Sequence, residues 1–197
     1  MSPSLVLCII LFALYTHIAM AAGPRWDHSI KIDDPELTVE VAAQQCHKSL
    51  INAPELLEAW CEKAYEMGYW SALVPISLHT SDGTRLVAEA KERLKNKEPG
   101  AYTTLAWLYG SGQFVKKDIA KAIALREELL VLDKSFTPNQ IALNHMKLAD
   151  LYIQERNWKK VAIHAKHVLK HTQSNFQKKY AKRQLESAER HLSSNEL

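Results

Sequence analysis

The chain is predicted to be all-helical, an array of about eight helices in antiparallel succession, and three observations predict it. Only 6 glycines and 7 prolines occur in 197 residues, too few for the tight turns of an all-β domain. Apolar residues recur at three- and four-residue spacing along most of the chain, and no segment alternates with period 2. Three tyrosines, Tyr65, Tyr109 and Tyr152, recur at intervals of 44 and then 43 residues. A spacing of that size suits a repeated helix pair, because one pair cannot bury its apolar face alone.

Taken in order, residues 1–21 read as a signal peptide. Leu5 to Tyr15 is an almost unbroken apolar run, and Ala19-Met20-Ala21 fits a small-residue cleavage site. The run is shorter than the ~20 residues of a membrane span; a retained N-terminal anchor is the competing reading. Residues 22–33 form an extended lead-in, and 34–197 the helical repeat domain. Asp34, Pro35 and Glu36 carry a helix-start signature, which predicts a first helix to about Leu50. Pro54 opens a second helix with the stripe Leu57, Trp60, Cys61, Ala64 and Tyr65. Pro75 ends or kinks the segment beyond Gly68.

Ser81-Asp82-Gly83 is a turn, and Thr84 is expected to cap a segment holding Leu86, Val87, Ala90 and Leu94. The next helix carries Leu105, Leu108 and Tyr109 and closes around Gly110-Ser111-Gly112. Asp118 caps a helix with Ile119, Ala122, Ile123 and Leu129. Thr137-Pro138-Asn139-Gln140 is a capping box ahead of Ile141, Leu148 and Leu151. Asn157 caps the stripe Trp158, Val161, Ala165, Val168 and Leu169. Ser174-Asn175-Phe176-Gln177 is a second capping box, opening a charged terminal helix.

With the signal removed, Cys46 and Cys61 remain. They sit on neighbouring helices joined by Asn52-Ala53-Pro54, so a disulfide is expected in an oxidising compartment. The leader and this pair imply periplasmic or secreted localisation. Hydrophobic residues make up 47% and charged residues 24%, which excludes wholesale disorder. A net charge of +3 is too small to imply a nucleic-acid binder, although lysines crowd the last two helices.

Local sequence repeats around two of the tyrosines: Leu105-Ala106-Trp107-Leu108-Tyr109 and Leu148-Ala149-Asp150-Leu151-Tyr152. With Gly110-Ser111-Gly112, Asp118, Lys121 and Ala122, the first stretch resembles the Sel1-like repeat, a relative of the tetratricopeptide repeat. Ala106 stands where that family usually has glycine. The unit from Leu148 to Leu169 resembles a tetratricopeptide repeat, with Trp158 opening its second helix. The resemblance implies a right-handed α-α superhelix whose first helices line a concave, protein-binding surface. On that alignment Thr103, Trp107, Met146, Asp150, Ile153 and Gln154 face the groove, with Trp107 the foremost anchor. It implies a non-enzymatic scaffold or adaptor for another protein or peptide.

No phosphate-cradling loop, dinucleotide fingerprint or nucleophile elbow occurs, so neither cofactor nor catalytic residue is expected. The one metal-like pattern is His164, His167 and His171, spaced to share a helical face. Helical-wheel arithmetic turns that face to solvent, away from the Trp158–Leu169 stripe. A metal-binding protein or envelope hydrolase built on these histidines is the alternative reading.

Overall fold

The computed structural model describes residues 27–132 and 136–194. Residues 1–21, read above as a signal peptide, and the first part of the expected lead-in lie outside the described residues. Among the described residues there are nine α-helices and no strand. The described residues divide into two compact units, the first ending at Ile76 and the second beginning at Ser77.

In the first unit, α1 (Val39–Asn52) packs against α2 (Leu57–Glu66), with a short 3-10 turn at Pro54–Leu56 between them. Helix α1 begins later than its sequence signature suggests. The Asp34 carboxylate accepts the Glu36 N–H at 2.9 Å and its carbonyl accepts Leu37 N–H at 3.1 Å, so Asp34-Pro35-Glu36 closes a turn. Thr38 is the true cap, accepting Val41 N–H at 3.3 Å. Ala42, Cys46, Leu57, Trp60, Cys61 and Ala64 form the core of the unit. Cys46 and Cys61 are both fully buried at disulfide distance, Sγ to Sγ 2.06 Å.

A further helix, α3 (Leu73–Thr80), lies where the sequence pattern predicts an interruption. Pro75 lies in its first turn, where the missing N–H would have no helical acceptor in any case.

In the second unit, α4 (Thr84–Lys95) packs on α5 (Pro99–Ser111), and α5 on α6 (Ile119–Leu132). Helix α6 meets α7 (Pro138–Gln154), which packs on α8 (Trp158–His171); α9 (Asn175–Ser193) lies on α8 and also touches α7. Thr84 is the first residue of α4 and not its cap: Asp82 accepts the Thr84 N–H at 2.9 Å and Gly83 takes the cap position. Gly83 is there for space, since a Cβ would fall 2.1 Å from Phe114 Cγ. The Thr137–Gln140 box closes in both directions. The Ser174 box closes in one. Ser174 accepts Gln177 N–H, but the Gln177 side chain is engaged by Thr172 and not by the Ser174 backbone.

Two junctions in this unit are alike. After α5 the Tyr109 carbonyl accepts Asp118 N–H at 2.9 Å, and after α7 the Tyr152 carbonyl accepts Asn157 N–H at 2.9 Å. Asp118 and Asn157 then accept the N–H of a lysine three residues on, Lys121 and Lys160. Each ammonium returns over the tyrosine ring, 4.2 Å from its centroid in the first case and 5.7 Å in the second.

Candidate functional site

Helices α5 and α7 each carry an apolar flank that the core consumes: Leu105 and Leu108 on one, Leu148 and Leu151 on the other, all buried. Trp107, one residue off that flank, is only half-buried. Beside it opens a cavity of about 240 Å³, walled by Ala106, Trp107, Gly110, Ser111, Arg126, Lys147, Asp150, Leu151 and Gln154. Gly110 lets α5 approach α7 here, because a Cβ would sit 3.0 Å from Leu151 Cδ2.

Three of the six groove residues expected from the sequence, Trp107, Asp150 and Gln154, wall this cavity. The other three lie elsewhere. Thr103 is exposed on α5 and donates to the Pro99 carbonyl at 3.2 Å. Met146 is buried with Ala142, Val168 and Ala181, the last from α9. Ile153 packs against the core that holds Leu148 and Tyr152. Asp150 has a second task, since its Oδ1 accepts Tyr180 O–H and Gln184 Nε2–H, each at 2.8 Å, tying α7 to α9.

Arg126 and Lys147 are not among the residues the repeat pattern singles out. A signal for Arg126 is present in the sequence all the same: a charged residue on the stripe Ile119, Ala122, Ile123, Leu129, three positions from the last two. The residue is 7% exposed, and its guanidinium donates from Nη1 to Asn144 Oδ1 at 2.8 Å. Burial pushes its pKa down to about 10, which leaves it cationic at neutral pH.

The histidine row is placed differently from the helical-wheel expectation. His164 is 7% exposed, because α7 covers that side of α8. Its Nδ1 lies 2.9 Å from Nδ1 of His145 on α7, and its ring stacks on Tyr152 at 5.4 Å. His167 and His171 are not buried, and both stack on His145, with centroids 4.5 and 6.4 Å away. Burial first, then neighbouring positive groups, push His145 and His164 down to about 4. Both rings are therefore neutral at pH 7, and a hydrogen bond between them needs no net charge. Among the described residues, no three His, Cys, Asp or Glu side chains are arranged to hold a metal ion.

No protein-family model matches the chain, and no curated protein or solved structure matches it significantly. Among the described residues, no helix is long and apolar enough to cross a membrane.

Proposed function

We propose that the chain is a non-enzymatic, partner-binding helical repeat protein, exported to the periplasm or the secreted space. On this reading α5/α6 and α7/α8 are antiparallel pairs of a right-handed solenoid. The Trp107 cavity is the innermost part of the groove for a protein or peptide. The repeated tyrosine–cap–lysine junction supports the pairing. The buried Cys46–Cys61 pair supports an oxidising compartment.

The observation that carries the function is the cavity itself. A half-buried tryptophan stands on its wall beside Asp150 and Gln154, and aromatic anchors of this kind dominate interface energetics. In-cell crosslinking with partners identified by mass tests it. Trp107→Ala is expected to remove a specific crosslinked species while leaving the melting curve little changed. An unchanged crosslinking pattern refutes the groove. Mass measurement of the mature N-terminus tests export, with a start at Ala22 expected.

A further inference from the structure

Between Glu155 and Glu186 the chain has no acidic residue, yet this stretch holds nine of its 25 lysines and arginines. The rest carries 16 basic against 22 acidic side chains, so a net charge of +3 conceals one cationic segment on an otherwise acidic chain. The segment covers α8, the bend after it and the first half of α9. Among the described residues none of the nine pairs with a carboxylate. Their mutual repulsion is left for an outside anion to relieve.

Six of the nine gather around the bend. Lys166 and Lys170 stand in the last turns of α8, and Lys178, Lys179, Lys182 and Arg183 follow in the first turns of α9. All are exposed except the half-buried Lys178. Gln173 N–H donates to Asn139 Oδ1 at 3.2 Å, fastening the bend to the start of α7. Two apolar side chains stand out among the cations: Phe176, 67% exposed, and Ile163, 43% exposed. The Phe176 ring stacks on Tyr180 at 6.2 Å, and the Arg183 guanidinium lies 5.6 Å from the Tyr180 centroid. Ile163 lines a shallow depression with Lys166, His167 and Lys170.

A face that only keeps a helix in water mixes both signs, as α9 does further on with Glu186, Glu189 and Arg190, and has no use for an exposed phenylalanine. Discrete phosphates and nucleic acids favour the planar fork of arginine. Seven of the nine cations here are lysines, point charges suited to a diffuse field. Cations over headgroups, with an aromatic ring at the acyl boundary, are how a protein surface rests on a bilayer. We propose that the bend between α8 and α9 docks on an anionic lipid surface, with the six cations over the headgroups and Phe176 inserted between them. This surface is separate from the Trp107 cavity, so either assignment can fail alone.

The test is co-sedimentation of the purified chain with vesicles of phosphatidylcholine alone and with about one-third phosphatidylglycerol, which is expected to raise the partition about 100-fold or more at low salt. Residues 1–21, where retained, contribute to both vesicles, so the readout is the ratio. Neutralising Lys178, Lys179 and Lys182 together to Gln should lower that ratio about tenfold or more. Phe176→Ser should lower it about fivefold with no change of charge. Lys116→Gln with Lys117→Gln, exposed lysines outside the segment, should leave it unchanged. Melting curves check each variant, and the comparison of vesicles in the unmodified chain stands if one fails to fold. Equal partition into both vesicles overturns the proposal. So does a loss as large from the Lys116 and Lys117 pair, or no effect of Phe176→Ser. Duplex DNA that binds as tightly as the anionic vesicles also overturns it, and would assign the face to a soluble polyanion.

Discussion

The pairs α5/α6 and α7/α8 share a junction and differ in what they bury beneath it. Residues 43 apart on the first helices, and 39 apart on the second, occupy matching places, as Tyr109 matches Tyr152 and Asp118 matches Asn157. By the same offsets Tyr102 matches His145, Glu128 matches His167, and Leu125 matches His164. In α5/α6 the Tyr102 hydroxyl donates to Glu128 at 2.8 Å. In α7/α8 the His145 ring stacks on His167 and meets His164. Leu125 and His164 are equally enclosed, at 6% and 7% exposure. One backbone arrangement therefore accepts an aliphatic residue or a hydrogen-bonded imidazole at the same depth, and only the second choice ties stability to pH.

The largest effects test whether the two pairs are equivalent at all. Leu105 and Leu148 match in register and are 2% and 0% exposed, so Leu105→Ala and Leu148→Ala should each cost about 2–5 kcal/mol, with closely similar values in urea melts. A large disparity would break the correspondence.

Acid is the next largest. His164 takes its proton near 6.5 when unfolded and near 4 when folded, so the unfolded chain binds more protons in between. Stability is complete above about 6.5 and falls as pH drops to about 4, by roughly 2–3 kcal/mol for this ring. The groups facing the His pair are Lys160, His167 and His171, which oppose its protonation, and Glu127, which favours it. The two rings should titrate as one coupled unit. Moving the α5/α6 choices across, with His145→Tyr, His164→Leu and His167→Glu, should abolish this part of the acid loss in melts at pH 7, 5 and 4. Acid sensitivity that survives the transfer would place its source elsewhere.

Smaller effects probe the junction. Asp118→Ala and Asn157→Ala should each cost about 1 kcal/mol, measured by thermal unfolding. The smallest are Lys121→Met and Lys160→Met, about 0.5 kcal/mol or less and weaker at high salt. The first should exceed the second, because Lys121 lies nearer its ring and also bonds the Tyr109 hydroxyl at 3.0 Å.

What the sequence makes legible is local. Helix class and the Thr137 and Asn157 caps depend on neighbours within a few residues, and the structure carries them; of the three spaced tyrosines, Tyr109 and Tyr152 share a junction and Tyr65, whose carbonyl accepts Gly68 N–H, does not. What it conceals depends on which helix covers which. A wheel drawn on α8 alone turns His164 outward, because α7 is not on the wheel. Met146 looks groove-facing until α9 supplies Ala181 against it. Asp150 likewise serves both the cavity and α9. Helix α3 is hidden by Pro75, which reads as an interruption when it occupies a first turn. Arg126 is legible as a charge on an apolar stripe, but that its bonded partner is the neutral Asn144 is visible only in three dimensions.

The bond from a tyrosine carbonyl to the amide of the next cap has a consequence for how such a chain can drift. Donor and acceptor both belong to the main chain, so the connection persists whichever side chain occupies the position, aspartate in one junction and asparagine in the other. Geometry held by the peptide backbone tolerates wide substitution. Two such junctions can then differ in spelling while bending the polypeptide in the same way.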